Sequence, residues 1–180
     1  VMTAPIIHIP ADRFLTLAKS IVVVDVRAPK EFRQGHIPGA VNIPLFDDDE
    51  RAVVGTTYSK KGPEEALHTG LDIVGPKMKD FVKQAKKIAM NHEILVHCWR
   101  GGMRSGAMAW LFSFSGIKTS VLEGGYKAYR HYIRESLSVG PPLRVLGGMT
   151  GSGKTEILHH FAGLGEQVLD LEGLANHKGS

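Results

Sequence analysis

One cysteine, Cys98, stands among residues able to ionise it. The segment His97-Cys98-Trp99-Arg100-Gly101-Gly102-Met103-Arg104-Ser105 places two glycines and two arginines within six residues of the sulfur. Paired glycines let successive backbone N–H groups turn toward one point and form an anion-binding nest. A helix beginning near Ser105 would add its positive end. Arg100 and Arg104 are expected to add full positive charge. Each effect favours thiolate over thiol, and in such settings a cysteine pKa falls from ~8.5 to between ~3.5 and ~7.5. Cys98, Arg100 and Arg104 are therefore read as catalytic, with Trp99, Gly101, Gly102 and Met103 as the anion-cradling loop. The competing reading is an inert buried cysteine, and the loop composition weighs against it. His97 precedes the nucleophile, but neighbours on a strand face opposite ways, so a structural role is favoured over a base. Trp99 has two open readings, stacking on a nucleobase or packing on the sheet.

A second anion site is written downstream. Gly148-Met149-Thr150-Gly151-Ser152-Gly153-Lys154-Thr155 fits G-x-x-x-x-G-K-[ST]. In that pattern glycine amides cradle a diphosphate, the lysine reaches its outer oxygens and the hydroxyl holds magnesium. Gly148, Gly151, Ser152, Gly153, Lys154 and Thr155 are the expected phosphate-binding residues. The bland alternative is a glycine-rich turn capping a helix. A nucleotidase also needs a downstream carboxylate, for which Asp170 and Glu172 are candidates. No metal-ligand cluster is read elsewhere.

These loops need strands and helices behind them. Ile21–Val26 (IVVVDV), Glu93–His97 and Thr119–Leu122 are short apolar runs of the kind buried on both faces of a parallel sheet. Pro76–Asn91, Ser105–Ser115 and Tyr126–Leu137 read as helices. In the first, Met78, Phe81, Val82, Ala85, Ile88 and Ala89 recur at helical spacing, with Lys79, Lys83, Lys86 and Lys87 on other faces as a solvated surface. The alternation predicts an α/β domain over residues 12–137. Cys98 then falls at the carboxyl edge of the sheet, where such folds bind ligands. Residues Phe46–Gly75 show no strand and read as a long loop. Residues 138–142 (SVGPP) read as a linker. Residues 143–180 restart the pattern, with strands expected at Leu143–Leu146 and Gln167–Leu171 around a helix from Lys154, as the first, truncated part of a second domain.

Three segments in order carry a family resemblance. Asp25–Pro44 (DVRAPKEFRQGHIPGAVNIP), the Cys98 loop and Leu122–Tyr129 (LEGGYKAY) resemble the hallmarks of rhodanese domains. That resemblance implies a rhodanese-like parallel sheet flanked by helices. Asp25, Arg27 and Glu31 are then expected to form a structural polar set. The loop His97–Ser105 also fits H-C-x-x-G-x-x-R-[ST], the loop of the cell-cycle phosphatases that share this fold. Sulfurtransferases of the fold generally have a loop one residue shorter. The longer loop suits a tetrahedral phosphorus-centred group, with Arg104 reaching it bidentately.

A rhodanese domain followed by an incomplete P-loop domain, with the wording CWRGGMRS, GGMTGSGKT and LDLEGLANHKGS, resembles the bacterial tRNA 2-selenouridine synthase family. The family's proteins are longer, so the chain is expected to be an N-terminal portion. The resemblance implies replacement of sulfur by selenium in the wobble 2-thiouridine of tRNA. Selenophosphate would be the donor and an S-selanylcysteine at Cys98 the carrier, with Arg104 and the loop amides holding the departing phosphate group. Geranyl diphosphate would supply a geranyl group that makes the sulfur a leaving group. The P-loop would then hold geranyl diphosphate or, alternatively, ATP. No tightly bound cofactor is implied, and magnesium is an option at Thr155. The rival readings are a sulfurtransferase using a Cys98 persulfide, a phosphatase with a general acid among Asp47, Asp48 and Asp49, and a module that only senses anions.

Bulk properties limit the field. A hydrophobic fraction of 43% fits a globular protein. One cysteine excludes an internal disulfide and fits a reducing compartment. No stretch reaches the roughly 18 apolar residues of a membrane span, and the N-terminus lacks a secretory pattern, so a cytoplasmic protein without membrane contact is expected. The net charge of +4 permits an anionic partner such as RNA.

Overall fold

The computed structural model describes residues 3, 5–138, 140, 143–149 and 151–174. The chain divides into two compact units, Val1–Val139 and Gly140–Ser180. Of the expected linker, positions 139, 141 and 142 lie outside the described residues, as do 175–180.

Five parallel strands build the first unit: β1 (Ile7–Ile9), β2 (Val23–Asp25), β3 (Val41–Asn42), β4 (Glu93–His97) and β5 (Lys118–Leu122). Their order is β1-β5-β4-β2-β3, with Val24 beside Val96 and Val96 beside Val121. The helices are α1 (Ala11–Leu17), α2 (Pro29–Gln34), α3 (Asp48–Lys61), α4 (Pro63–Val74), α5 (Met78–Ile88), α6 (Met103–Phe114) and α7 (Gly125–Ser138). This is the α/β sheet flanked by helices that the sequence predicts.

Strand alternation sorts the core into two layers. Val24, Ile94 and Val96 face Phe81 and Ala85 of α5 and Met108 and Phe112 of α6. Val23, Leu95 and Leu122 face Phe14 of α1 and Tyr126 of α7. Cys98 continues the first set, and His97 takes the opposite parity, on the side of Leu95. Beyond β2 the chain goes outward to β3, and beyond β4 it goes to β5 on the other side. Cys98 follows β4 at that divergence, the place where open α/β sheets bind ligands.

One sequence expectation is overturned in this unit. Residues 46–75 are not a long loop, because α3 and α4 fill most of that stretch. A capping box starts α3: Asp47 accepts from the Glu50 N–H, and Glu50 accepts from the Asp47 N–H. That D-x-x-E signal was present in the sequence, but α3 buries no residue and has no apolar stripe to reveal it. Lys79, Lys83, Lys86 and Lys87 of α5 are exposed, as expected.

In the second unit, α8 (Lys154–Gly163) forms where a helix was expected. The expected strands at 143–146 and 167–171 do not form among the described residues. A strand exists through its ladder partner, and neither segment has one. Leu143 and Val145 are accordingly 72% and 90% exposed. Leu171 instead opens a short helix, α9 (Leu171–Leu174).

Candidate active site

Behind the cysteine lies a buried framework. The Arg27 guanidinium donates to both Asp25 oxygens, with Nη2 2.5 Å from Oδ2, and also to the Gly35 carbonyl at 2.8 Å. Its carbon lies 3.9 Å from the centre of the Tyr126 ring. Asn42 donates to the carbonyls of Asp25 and Arg27. Both charges are buried and fully partnered, so breaking the pair by removing one side costs about 3–5 kcal/mol. The expected polar set thus holds for Asp25 and Arg27 but not for Glu31. Glu31 accepts from the Ala28 N–H at the start of α2 and turns its carboxylate to Arg104.

The cysteine loop is clamped from α7. Tyr126 and Lys127 donate their N–H groups to the carbonyls of Cys98 and Trp99 at 2.8 and 3.0 Å. Gly125 makes this approach fit. A Cβ there would stand 2.5 Å from the Cys98 carbonyl oxygen and 2.5 Å from the Gly101 nitrogen. Gly125 in LEGGYKAY thus lets two backbones touch, whereas a Cβ on Gly124 would meet the Ala128 side chain.

Cys98 is 3% exposed. Burial pushes its thiol pKa up. Against that, the Ser105 hydroxyl, 3.2 Å from Sγ, and the N–H groups of Ser105, Arg100 and Gly102 stabilise negative charge on sulfur. The hydrogen bonds win, and the pKa lies below the ordinary thiol value. Ser105 Oγ also lies 3.1 Å from the Gly102 carbonyl. Its single proton serves that carbonyl when sulfur is protonated and serves sulfur when it is not.

The arginines do something other than expected. Arg104 pairs with Glu31, Nη1 to Oε2 at 2.7 Å and Nη2 to Oε1 at 3.4 Å. Its charge is already matched inside the site. Arg100 supplies its backbone N–H to sulfur while its side chain is exposed. The thiolate is thus favoured by dipoles rather than by guanidinium charge, because neither guanidinium is directed at sulfur. Gly102 caps α6, which starts at Met103, two residues earlier than the sequence suggests. Met103 is 74% exposed beside the opening.

His97 is fully buried on the opposite face from Cys98, ringed by Phe14 and Tyr126. Burial holds its pKa below the usual imidazole value, and Asp25, 3.6 Å from Nε2, offsets this only in part. Its structural role stands. Trp99 packs tilted against Tyr126, with ring centres 5.9 Å apart, and also lines the cleft over Cys98.

A cleft of about 980 Å³ opens over Cys98. Arg51, Arg100, Arg104 and Arg130 line it, against one carboxylate, Glu31. Arg51 and the exposed Tyr58 reach it from α3, so the sequence reading missed both when it took that segment for a loop. Asp47, Asp48 and Asp49 do not line the cleft. Asp47 caps α3 and Asp48 pairs with Arg33, so the expectation of a general acid among them is not met.

The glycine-rich loop of the second unit leads into α8, capped by Gly153. The Lys154 ammonium folds back and donates to the carbonyls of Gly148 and Met149 at 2.9 and 2.8 Å. Gly148 leaves room for the Ser152 hydroxyl, 2.7 Å from where a Cβ would lie. Gly151 lies in the turn and Thr155 in the first, exposed turn of α8. Asp170 is engaged as the cap of α9, accepting from the Gly173 N–H, rather than standing on a strand.

Sheet order, cysteine loop and clamp define a rhodanese-like domain, and the Rhodanese-like domain model matches residues 12–132. The chain belongs to the rhodanese-like domain family. Residues 141–180 match the tRNA 2-selenouridine synthase AAA domain. Among individual proteins, it is 44% identical over 168 residues to the tRNA 2-selenouridine synthase of Bdellovibrio bacteriovorus, covering 90% of this chain and 44% of that one. It is 41% identical over 173 residues to the enzyme of the same name from Hydrogenovibrio crunogenus, covering 90% and 46%. The chain therefore spans less than half the length of these curated relatives. The crystal structure of an N-terminal domain from Clostridium difficile 630 is 44% identical, with a TM-score of 0.65, covering 69% of this chain and 97% of that one. No helix among the described residues is long and apolar enough to cross a membrane.

Proposed function

We propose that this chain is the selenium-handling part of a cytoplasmic tRNA 2-selenouridine synthase, a selenotransferase that replaces sulfur by selenium in the wobble 2-thiouridine. The observation that carries the reading is the set of hydrogen bonds converging on Cys98 Sγ beneath an arginine-lined cleft. Hydrogen bonds that favour the thiolate raise its share at a given pH, and the thiolate is the nucleophile. The cleft's charge suits a small tetrahedral anion, and selenophosphate is the donor proposed.

Attack on selenium breaks the Se–P bond and leaves Cys98–S–Se⁻. The bonding pair stays on phosphorus, which departs with a proton as phosphite, so phosphorus is reduced as selenium is oxidised. A thiol attacking the Cys98 sulfur then expels selenide and leaves a mixed disulfide, which a second thiol reduces to restore Cys98. The loop amides and Arg104, released from Glu31, hold the departing anion. A second route is supported by the length of the His97–Ser105 loop, which suits phosphoryl transfer. Attack on phosphorus leaves the pair on selenium, releasing hydrogen selenide and an S-phosphocysteine that water hydrolyses to phosphate.

In the second unit, Gly148, Gly151, Ser152, Gly153, Lys154 and Thr155 would hold the diphosphate of geranyl diphosphate, with ATP as the alternative. Alkylation of the thiouridine sulfur expels diphosphate, and selenide at C2 then expels geranylthiol.

Incubation with selenophosphate followed by intact mass and phosphorus NMR tests this. A selenium isotope pattern on wild type, absent in Cys98→Ala, with phosphite released, is the expected result. Phosphorus on Cys98 with free selenide would select the second route. Neither adduct, on folded protein, would overturn the assignment.

A further inference from the structure

Beside the Cys98 cleft runs a second groove of about 810 Å³ between α2 and α3. The two hollows share Glu31, Gln34 and Arg51, so a continuous path leads from Cys98, past the Arg104–Glu31 pair, along α3. Its charges do not balance. The carboxylates on its walls are Glu31 and Asp48. Arg104 matches Glu31, while Arg33 and the Lys30 N–H match Asp48. Lys30, Arg51 and Lys60 line the groove with no ion-pair partner among the described residues. Arg51 to Lys60 spans about 14 Å along the helix axis, room for more than one phosphate of a nucleic-acid strand. On the cleft side of α3, Tyr58 lines the Cys98 cleft and is 61% exposed. α3 buries no residue, so this face of the helix is not needed for the core.

Unmatched cations in a row, with one open aromatic ring at the reactive end, are what a single-stranded nucleic acid binds: charge for the backbone, a ring for a base. We propose that this groove carries the RNA strand flanking the nucleoside that reacts at Cys98. Lys30, Arg51 and Lys60 contact its phosphates and Tyr58 stacks on a base. The proposal rests on the reading of the chain as a tRNA-modifying enzyme, and it places the RNA on the α2–α3 face.

The probe is a fluorescent RNA hairpin with 2-thiouridine at the wobble position of an anticodon loop, titrated by anisotropy over a salt series. The Lys30→Gln/Lys60→Gln double variant should lower the log–log salt slope by about 1.4, at about 0.7 per single-strand phosphate contact. Tyr58→Ala should lose at least about fivefold in affinity at unchanged slope, and Tyr58→Phe should retain it. The double-lysine variant should still acquire selenium at Cys98 from free selenophosphate, because neither lysine lines that cleft. Failure of the wild type to bind the hairpin would overturn the proposal, as would wild-type affinity and slope in these variants, whether or not Cys98 loads. Weakened RNA binding in the variants together with no selenium on wild-type Cys98 would sustain the groove and overturn the selenium chemistry.

Discussion

Ser105 decides the state of the sulfur at the scale of single residues. Its hydroxyl and N–H both stabilise the charge on Cys98, and burial opposes them. Ser105→Ala should shift the midpoint of Cys98 alkylation to higher pH, whereas Arg100→Ala, which keeps the backbone N–H, should leave it near the wild-type position. Mass spectrometry of iodoacetamide-treated protein measures both. His97 gives a second pH effect with the opposite chemistry. Its folded pKa is depressed, so near pH 6 the unfolded chain binds a proton that the folded chain refuses. Stability is then complete above the unfolded value of about 6.5 and declines as pH falls from there toward the folded pKa. The slope for one proton is at most about 1.4 kcal/mol per pH unit. Urea unfolding at several pH values should show this decline, and His97→Phe should flatten it. The place of Cys98 at the sheet edge, its neighbouring glycines and the burial of His97 on the opposite face were legible in the sequence, because each follows from residue type and strand parity. The partner of Arg104 was not. Glu31 lies 73 positions away, and local spacing carries no information about a contact that the sheet creates.

At the scale of elements, the site depends on the β5–α7 turn pressing against the cysteine loop. Gly125→Ala should destabilise the domain by about 2–4 kcal/mol, combining a backbone clash with left-handed strain. It should also slow Cys98 alkylation at neutral pH, since the loop amides lose their aim. Gly102→Ala is the control. A Cβ there meets nothing within 4 Å, and the change should stay within about 1 kcal/mol by thermal unfolding. β2, β4 and β5 were readable because burial on both faces writes continuous apolar runs, whereas the short edge strands β1 and β3, largely exposed, write no such run and were not read. The helical hairpin of α3 and α4 was not read, although Asp47 and Glu50 form a capping box. A helix with little buried surface writes only its ends into the sequence. The expected strands of the second unit show the converse: an apolar run specifies burial, but a ladder partner must be present before it becomes a strand.

For the whole molecule, Cys98 lies in residues 1–139 and the glycine-rich loop in 140–180, two units with separate internal contacts. A chain ending at residue 139 should therefore fold and should alkylate at Cys98 with the pH profile of the longer chain. The most direct test of the account is the rate of Cys98 alkylation from acid to alkaline pH in the wild-type protein. If hydrogen bonds to Sγ outweigh burial, the midpoint of the rate profile lies below that of an unstructured cysteine peptide. A sulfur that stays unreactive until pH rises beyond the ordinary thiol range would contradict it.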